Sequence, residues 1–171
     1  MSFKKIEAKD IAKNPFSLIG EDWMLIAAKK KDGTFNTMTA SWGGMGIMWS
    51  KPVAAFVIRP QRYTFEFVEE AEYVTLSFLK DTAANKDALN LCGTKSGRDM
   101  DKIKESGLTP VFGENGTVCF EESKLVLVCR KMYADSLNKD AFIDKSALKN
   151  YPLDDFHKVY VCEITEALLA E

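Results

Sequence analysis

The sequence is poor in the residues that build metal centres. Among its 171 residues there is one histidine, His157, and there are four cysteines. The cysteines are widely separated and form no CxxC pair; they are Cys92, Cys119, Cys129 and Cys162. A structural zinc site needs four cysteine or histidine ligands, usually with some of them closely spaced. We therefore expect no metal site or cluster, and four reduced, mostly buried thiols.

Long apolar runs and an excess of basic residues are also missing. No uninterrupted apolar segment approaches the ~20 residues of a membrane helix, and the N-terminus carries Lys4, Lys5 and Glu7 where a signal peptide would be apolar. The 23 basic and 25 acidic residues leave a net charge of -2, which disfavours a broad surface for nucleic acid. These absences predict a cytoplasmic protein that binds neither membranes nor nucleic acid.

The two common nucleotide-binding motifs are absent as well. Three glycines lie close together at Gly43, Gly44 and Gly46, but no Lys-Ser or Lys-Thr pair follows them at the spacing of a phosphate-binding loop. The same glycines do not fit the dinucleotide fingerprint, which also needs a following helix. The glycine-rich segment is therefore neither of these motifs.

The sequence does contain enough apolar residues to build the core of one domain over residues 1–171. Of the residues, 46% are apolar and 28% charged, and no repeat, low-complexity tract or linker divides the chain. Apolar segments rich in β-branched and aromatic residues predict five strands, over Asp22–Ala28, Val53–Arg59, Tyr73–Leu79, Leu125–Tyr133 and Lys158–Ile164. Weaker strand patterns occur over Phe35–Trp42 and around Val118. Helix signals are fewer and cover Thr64–Glu70, Thr82–Leu91 and Arg98–Ser106.

The order of these elements indicates the fold class. Strands do not alternate regularly with helices long enough to cross between parallel strands, so a doubly wound parallel sheet is disfavoured. The pattern favours an antiparallel barrel, or a sandwich, that carries a few helices. The segment Ala134–Phe156 is charged and mixed, and we expect it to be a loop.

A first candidate for chemistry is Asn36–Trp49, with the sequence NTMTASWGGMGIMW. Its small polar residues and glycines allow a backbone to approach a flat or charged ligand closely. The alternative is a glycine-rich turn at a barrel corner, with Met45, Met48 and Trp49 in the core.

A second candidate is Ile58–Thr64, with the sequence IRPQRYT. Two arginines, Arg59 and Arg62, end an apolar strand and are followed by hydroxyl side chains. Guanidinium groups beside hydroxyls can bind a phosphate or the polar edge of a heterocycle. The alternative is that both arginines are solvated or paired with nearby glutamates.

A third candidate is Cys92–Lys102, with the sequence CGTKSGRDMDK. Backbone amides at the start of the helix predicted here, near Asp99, would bind one phosphate with help from Lys95 and Ser96. The alternative is that Asp99 only caps the helix while Lys95 and Arg98 face water. The two interpretations can coexist.

The fourth candidate is His157 itself, just before the last predicted strand. Histidine is the side chain that most readily changes charge near neutral pH, so it can donate a proton or a hydrogen bond to a redox ring or a nicotinamide. The alternative is a structural histidine in a loop.

Taken in order, five segments resemble the flavin reductase-like, FMN-binding split-barrel family, nearest its flavoredoxin-like branch. They are NTMTASWGGMGIMW, RPQRYT, YVTLSFL, CGTKSGRDMDK and FHKVYVCEI, and the resemblance spans about Asp22–Thr165. It implies a six-stranded antiparallel Greek-key split barrel with added helices. It also implies a homodimer with FMN in a groove at or near the subunit interface.

The resemblance also implies which residues hold FMN. The main chain of one segment would meet the pyrimidine edge of the ring: Thr39, Ala40, Ser41 and Trp42. A second would lie along the ribityl and phosphate side: Arg59, Arg62, Tyr63 and Thr64. A third would close around the phosphate: Lys95, Ser96, Gly97 and Arg98. His157 would lie near the reactive face of the ring.

The activity that the resemblance implies is an FMN-dependent oxidoreductase with NAD(P)H as co-substrate. Electrons would pass through FMN to free flavin, a small acceptor or a redox protein. The Trp42-Gly43-Gly44 run and the RPQRYT segment depart from the two-component flavin reductases, which leaves the electron partner open. Two alternatives remain: a flavin- or haem-binding carrier without turnover, and a split-barrel oxidase of a phosphorylated amine, which would need more basic residues.

Overall fold

The described chain, residues 2–171 of the computed structural model, is built mainly of strands. Ten strands are present: β1 (Phe3–Ile6), β2 (Met24–Lys29), β3 (Phe35–Ala40), β4 (Gly43–Met48), β5 (Lys51–Ile58), β6 (Tyr73–Leu79), β7 (Pro110–Phe112), β8 (Val118–Phe120), β9 (Ser123–Ser136) and β10 (Lys158–Ala170). The α-helices are α1 (Pro15–Ser17), α2 (Tyr63–Glu70), α3 (Ala83–Thr94) and α4 (Lys102–Ser106). A π turn covers Leu18–Asp22, and 3-10 turns cover Ala8–Asp10, Glu114–Gly116, Lys139–Ala141 and Lys145–Asn150.

Eight of the strands form one antiparallel sheet. Its order is β3-β2-β6-β9-β10-β5-β4, and β1 pairs with the end of β10. The strands β5 and β6 follow each other in the chain but are separated in the sheet by β9 and β10. This non-consecutive antiparallel order agrees with the antiparallel barrel that the pattern favours and with the split barrel that the resemblance implies. The two remaining strands, β7 and β8, pair with each other.

The two longest strands, β9 and β10, bend the sheet. Their register shifts between Val161 and Cys162 and again between Ile164 and Glu166. Such irregularities add residues on one strand, increase the local twist and bend the pair. The bend lets β10 pair with β9, β5 and β1 along its length.

Strand β2 is buried on both faces, which explains its unbroken apolar sequence. Its alternate residues Met24 and Ile26 face the barrel interior, where Phe56 and Tyr160 stack with ring centroids 5.2 Å apart. The residues between them, including Leu25, face a second cluster beneath α3. A strand that is covered on both faces has a continuous apolar sequence and not an alternating one.

The sequence predictions differ from the structure in three elements. The main sheet has eight strands and not six, because β1 and the glycine-rich β4 add to it. The glycines of the NTMTASWGGMGIMW segment therefore lie in a strand and not in a corner turn, and Trp49 is exposed rather than in the core. The third predicted helix is α4 in the structure, and it begins at Lys102 and not at Arg98.

Residues 2–171 contain neither a membrane-spanning helix nor a cluster of metal ligands. No helix in this range is long and apolar enough to cross a membrane. No group of three or more histidine, cysteine, aspartate or glutamate side chains in the same range is placed to hold a metal ion. All four cysteines are free and buried.

Gly43 is the position where β4 requires a glycine. A Cβ atom built there would lie 2.3 Å from the carbonyl oxygen of Ala55 on β5. The same atom built on Gly44 would meet nothing within 4 Å. The glycine at position 43 therefore permits close approach between two strands of the protein itself.

We predict that Gly43→Ala destabilises the protein by about 1–3 kcal/mol, the usual cost of overpacking. Urea unfolding at pH 7 measures this. The matched control is Gly44→Ala, which should leave the free energy of unfolding unchanged or raise it by up to about 1 kcal/mol. Equal effects of the two substitutions would contradict the explanation.

Candidate functional site

One groove collects residues from β3, β5 and the start of β10. It is lined by Met38, Thr39, Ala40, Ser41, Trp42, Val57, Arg59, Arg62 and His157. Its volume is ≈ 170 Å³, so it is smaller than the ~300–1,000 Å³ of pockets that enclose whole small-molecule ligands. Three segments that are far apart in the sequence, and that the sequence analysis singled out, meet here.

The wall formed by β3 presents its main chain to the groove. Thr39 turns its hydroxyl away, because Oγ1 donates a hydrogen bond of 2.6 Å to the carbonyl oxygen of Leu89 on α3. Two residues, Ser41 and Trp42, then connect β3 to β4. The indole of Trp42 is 46% exposed and lies 5.2 Å from the imidazole of His157, measured between ring centroids.

The two arginines of the groove differ in their partners. Arg59 is ion-paired with Asp155, and its Nη2 donates a 2.8 Å hydrogen bond to the carbonyl oxygen of Asn150. Arg62 donates from Nη1 to the carbonyl oxygen of Gly93 at 2.7 Å, but no carboxylate within residues 2–171 pairs with it. Burial and the charge of Arg59 lower the pKa of Arg62. Arg62 is thus the cation whose charge is left for a ligand.

The turn after α3 packs directly on the RPQRYT segment. Arg98 is ion-paired with Glu66, and its guanidinium lies 4.6 Å from the centre of the Tyr63 ring. A Cβ atom on Gly97 would lie 2.5 Å from Oδ1 of Asn36 and 3.1 Å from Cδ1 of Tyr63, so this position needs a glycine. The two cationic segments of the sequence analysis are therefore neighbours in space.

The other predicted residues of these segments have different surroundings. Thr64 is buried, and its Oγ1 accepts a 3.0 Å hydrogen bond from Nδ2 of Asn36, so its side chain serves the fold. Ser96 accepts a 3.2 Å hydrogen bond from the amide of Arg98. Lys95 is exposed, and its ammonium makes no ion pair with the described part of the chain.

The start predicted for the third helix, which is α4 in the structure, is wrong. The helix begins at Lys102, and the carboxylate of Asp101 already accepts from the amides of Ile103 and Lys104, both at 3.1 Å. Asp99 lies in the preceding turn and caps nothing. Asp99 and Asp101 are two positions apart, and the sequence pattern alone did not show which of them is the N-cap.

Sequence reasoning missed the buried ammonium of Lys102. The residue is 5% exposed, and its Nζ donates to the carbonyl oxygens of Thr37 at 3.0 Å and Cys92 at 2.9 Å. Cys92 and Gly93 lie in the last turn of α3, where carbonyls have no partner within the helix. Lys102 and Arg62 supply the donors, and their positive charge suits the negative end of the helix dipole.

His157 is buried beside the groove and neutral at pH 7. Its Nδ1 is 2.9 Å from the hydroxyl oxygen of Tyr151. Burial lowers the pKa of the imidazole to about 4, and the charges of Arg59 and Arg62 act in the same direction, whereas Asp155 opposes them. His157 therefore does not change charge near neutral pH, and of the two roles expected for it, hydrogen bonding remains.

Four further residues of the site were missed. Met38 and Val57 line the groove next to predicted residues of the same segments. The alternation of residues along a strand could have indicated both of them. Tyr151 and Asp155 lie in the loop between β9 and β10, and they contact His157 and Arg59. Nothing in the loop sequence indicates these contacts, because they depend on how the loop folds back.

The family model described as "Flavin reductase like domain" matches residues 16–171. No curated protein matches the sequence.

Several solved structures have the same fold. The FMN-binding domain of a flavin reductases-like enzyme from Shewanella baltica superposes with a TM-score of 0.69 at 15% identity, covering 98% of this chain and 77% of that one. The flavoredoxin of Desulfovibrio vulgaris gives 0.67 at 20% identity, covering 97% and 78%. An NADH:FAD oxidoreductase from Streptomyces globisporus, in complex with NAD and FAD fragments, gives 0.63 at 14% identity, covering 87% and 74%. At these identities the likeness establishes the fold alone.

We predict that acid destabilises the protein through His157. The unfolded chain takes up a proton near pH 6.5, whereas the folded protein does so only near pH 4. Lowering the pH through this window therefore favours the unfolded state, by up to about 3 kcal/mol at about 1.36 kcal/mol per pKa unit. Urea unfolding at pH 7 and pH 4.5 measures the loss. His157→Gln should show a clearly smaller loss, and an identical loss in both proteins would refute the assignment.

Proposed function

Since the chain belongs to the flavin reductase-like domain family, we propose that it binds FMN and moves electrons from NAD(P)H through FMN to an acceptor. The acceptor is free flavin, a small molecule or a redox protein. One observation carries the proposal: Arg62 lies at the groove with no carboxylate partner within residues 2–171. A half-buried, unpaired guanidinium is costly unless an anion completes the site.

The phosphate of FMN suits the surroundings of Arg62. This residue precedes the first turn of α2, and no side chain caps that helix. Free amides at a helix start, next to a guanidinium, favour a phosphate. Lys95 and Ser96, on the turn that packs against the same segment, are the further groups that we assign to it.

The ring of FMN suits the wall of the groove. The indole of Trp42 and the side chain of Val57 offer surfaces to a flat ring, and the residues Thr39–Ser41 line the groove beside them. When bound, FMN supplies the two-electron chemistry that links a nicotinamide donor to an acceptor.

The chain's own contribution is binding, orientation and electrostatics. Arg62, whose charge no carboxylate within residues 2–171 compensates, gives the groove a fixed positive charge that would favour a reduced, anionic ring. The neutral imidazole of His157 offers a hydrogen bond in the same groove. No side-chain nucleophile is needed for this reaction.

We also propose that two copies assemble around the site. A groove of ≈ 170 Å³ would cover only part of FMN, and the exposed indole of Trp42 lines it. A second copy would cover both the ligand and this indole. Sedimentation of a species of twice 19.2 kDa tests the homodimer.

The four free, buried cysteines suit a reducing compartment, and a cytoplasmic location is part of the proposal.

We predict that Arg62→Gln weakens FMN binding by about 1.5–3 kcal/mol, or roughly 10- to 150-fold, because a hydrogen bond to a charged phosphate is lost. Titration of flavin fluorescence measures the affinity. Glutamine keeps a donor for the carbonyl of Gly93. A smaller loss is expected for Lys95→Ala, whose ammonium is exposed.

The matched control for this titration is Arg130→Gln. Arg130 lies on β9, pairs with Glu163 and is not among the residues that line the groove. Its substitution should leave the FMN affinity unchanged. An affinity that is the same in wild type, Arg62→Gln and Lys95→Ala would contradict the phosphate assignment.

Turnover separates an oxidoreductase from a carrier. We predict that the protein loaded with FMN oxidises NADH or NADPH anaerobically faster than the same concentration of free FMN does. Loss of flavin absorbance near its visible maximum follows the reaction. If FMN binds but neither nicotinamide is oxidised faster than by free FMN, the protein is a flavin carrier and the oxidoreductase proposal fails.

A further inference from the structure

Tyr151 holds the imidazole that lines the groove. It is 7% exposed and lies directly after the 3-10 turn Lys145–Asn150. Its ring stacks on Phe156 with centroids 4.7 Å apart, and the guanidinium of Arg59 lies 5.3 Å from its centre. Its backbone amide donates to the carbonyl oxygen of Leu148 at 2.8 Å. Both the ring and the backbone of Tyr151 are therefore held in place.

The direction of the hydrogen bond between Tyr151 and His157 follows from the partners that each group has. The phenol oxygen and Nδ1 are 2.9 Å apart, and the phenol makes no other hydrogen bond within residues 2–171. If the phenol accepted from an Nδ1–H group, its own buried proton would have no acceptor, which is costly. If the phenol instead donates to Nδ1, its proton has an acceptor, so this is the direction of the bond.

The protonation of His157 adds the second constraint. Three charged groups act on it, namely Arg59 and Arg62 from the end of β5 and the segment after it, and Asp155 from its own loop. The two cations and burial outweigh the carboxylate, so the ring carries a single proton at pH 7. If Nδ1 accepts from Tyr151, that proton is on Nε2.

We propose that Tyr151 is a positioning residue that holds His157 with its proton on Nε2, so that the imidazole offers an N–H donor to a ring in the groove. Nδ1 is taken by Tyr151, and Nε2 has no hydrogen-bond partner in the described part of the chain. Nε2 is thus the nitrogen left for a ligand. The inference deepens the proposed function and rests on it for the identity of the ligand, but not for the state of the imidazole.

The donors in the groove restrict which ring edges a ligand can turn towards it. The guanidinium of Arg59 is committed to Asp155 and to the carbonyl oxygen of Asn150. His157 and Arg62 line the groove as well, and they have N–H groups without a partner in residues 2–171. A ring edge that offers carbonyl oxygens or an anionic nitrogen satisfies them, whereas an edge that offers only N–H groups leaves donors facing donors. The groove therefore selects heterocycles through their acceptor atoms.

The test uses the fact that His157 is the only histidine in the chain. Selective ¹⁵N labelling of histidine gives the spectrum of this one ring, in the protein without FMN at pH 7. We expect Nε2 in the protonated, pyrrole-type region and Nδ1 in the unprotonated, pyridine-type region. In Tyr151→Phe the Nδ1 resonance should move downfield, because the donated hydrogen bond is lost.

The matched control is Tyr133→Phe, which removes an exposed hydroxyl that donates to Asp135. Its histidine spectrum should equal that of the wild type. A protonated Nδ1 in the wild type overturns the proposal, and this result needs no variant to fold. An unchanged Nδ1 resonance in folded Tyr151→Phe overturns it as well.

A second measurement links the imidazole to the ligand. Tyr151→Phe should weaken FMN binding by about 2- to 10-fold, as expected for a less well oriented neutral hydrogen bond, and Tyr133→Phe should not. If the wild-type spectrum is as expected but FMN does not bind, the proposed function fails while the assignment of the imidazole stands. If FMN binds and the affinity of Tyr151→Phe is unchanged, the positioning role is overturned.

Discussion

The C-terminal end of α3 is buried on the side of Cys92, and its last carbonyls need donors that the helix cannot supply. Lys102 donates to Cys92 and also to Thr37 on β3, and Arg62 donates to Gly93. These two cations therefore join the helix to β3 and to the start of α2. The same requirement brings an unpaired guanidinium to the edge of the groove, so the cation that suits a phosphate is also part of the framework.

The charge distribution around the groove follows from which cations have carboxylate partners. Arg59 is neutralised by Asp155 and Arg98 by Glu66, so both serve mainly to hold loops in place. Arg62 and Lys102 are paired with carbonyl oxygens only, which leaves their charge uncompensated. Burial, together with the charges of Arg59 and Arg62, lowers the pKa of His157 and keeps its imidazole neutral. A site of this kind favours anionic ligands and acceptor atoms.

The sequence predictions were most accurate where a segment has one environment along its length. Tyr73–Leu79 is the strand β6 without change, and Thr82 is the N-cap of α3, with its hydroxyl accepting from the amide of Asn85. The edge strand β4 was missed because glycine is disfavoured in strands, and here Gly43 is present for close approach to Ala55. The contacts of Tyr151 and Lys102 were also missed, because the first depends on how the loop between β9 and β10 folds back and the second reaches Thr37 on a distant strand.

The sequence by itself determined the mainly antiparallel class of the fold, and its resemblance to a family supplied the candidate residues of the site. Apolar segments and their spacing were enough for the class of fold, because burial and strand periodicity are local properties of the chain. Only the tertiary structure decided which arginine keeps its charge for a ligand, which hydroxyls are consumed inside the fold, and whether His157 is charged. Those properties depend on partners distant in the sequence, such as Asp155 for Arg59 and Asn36 for Thr64, and on the loss of solvent when the chain closes around them.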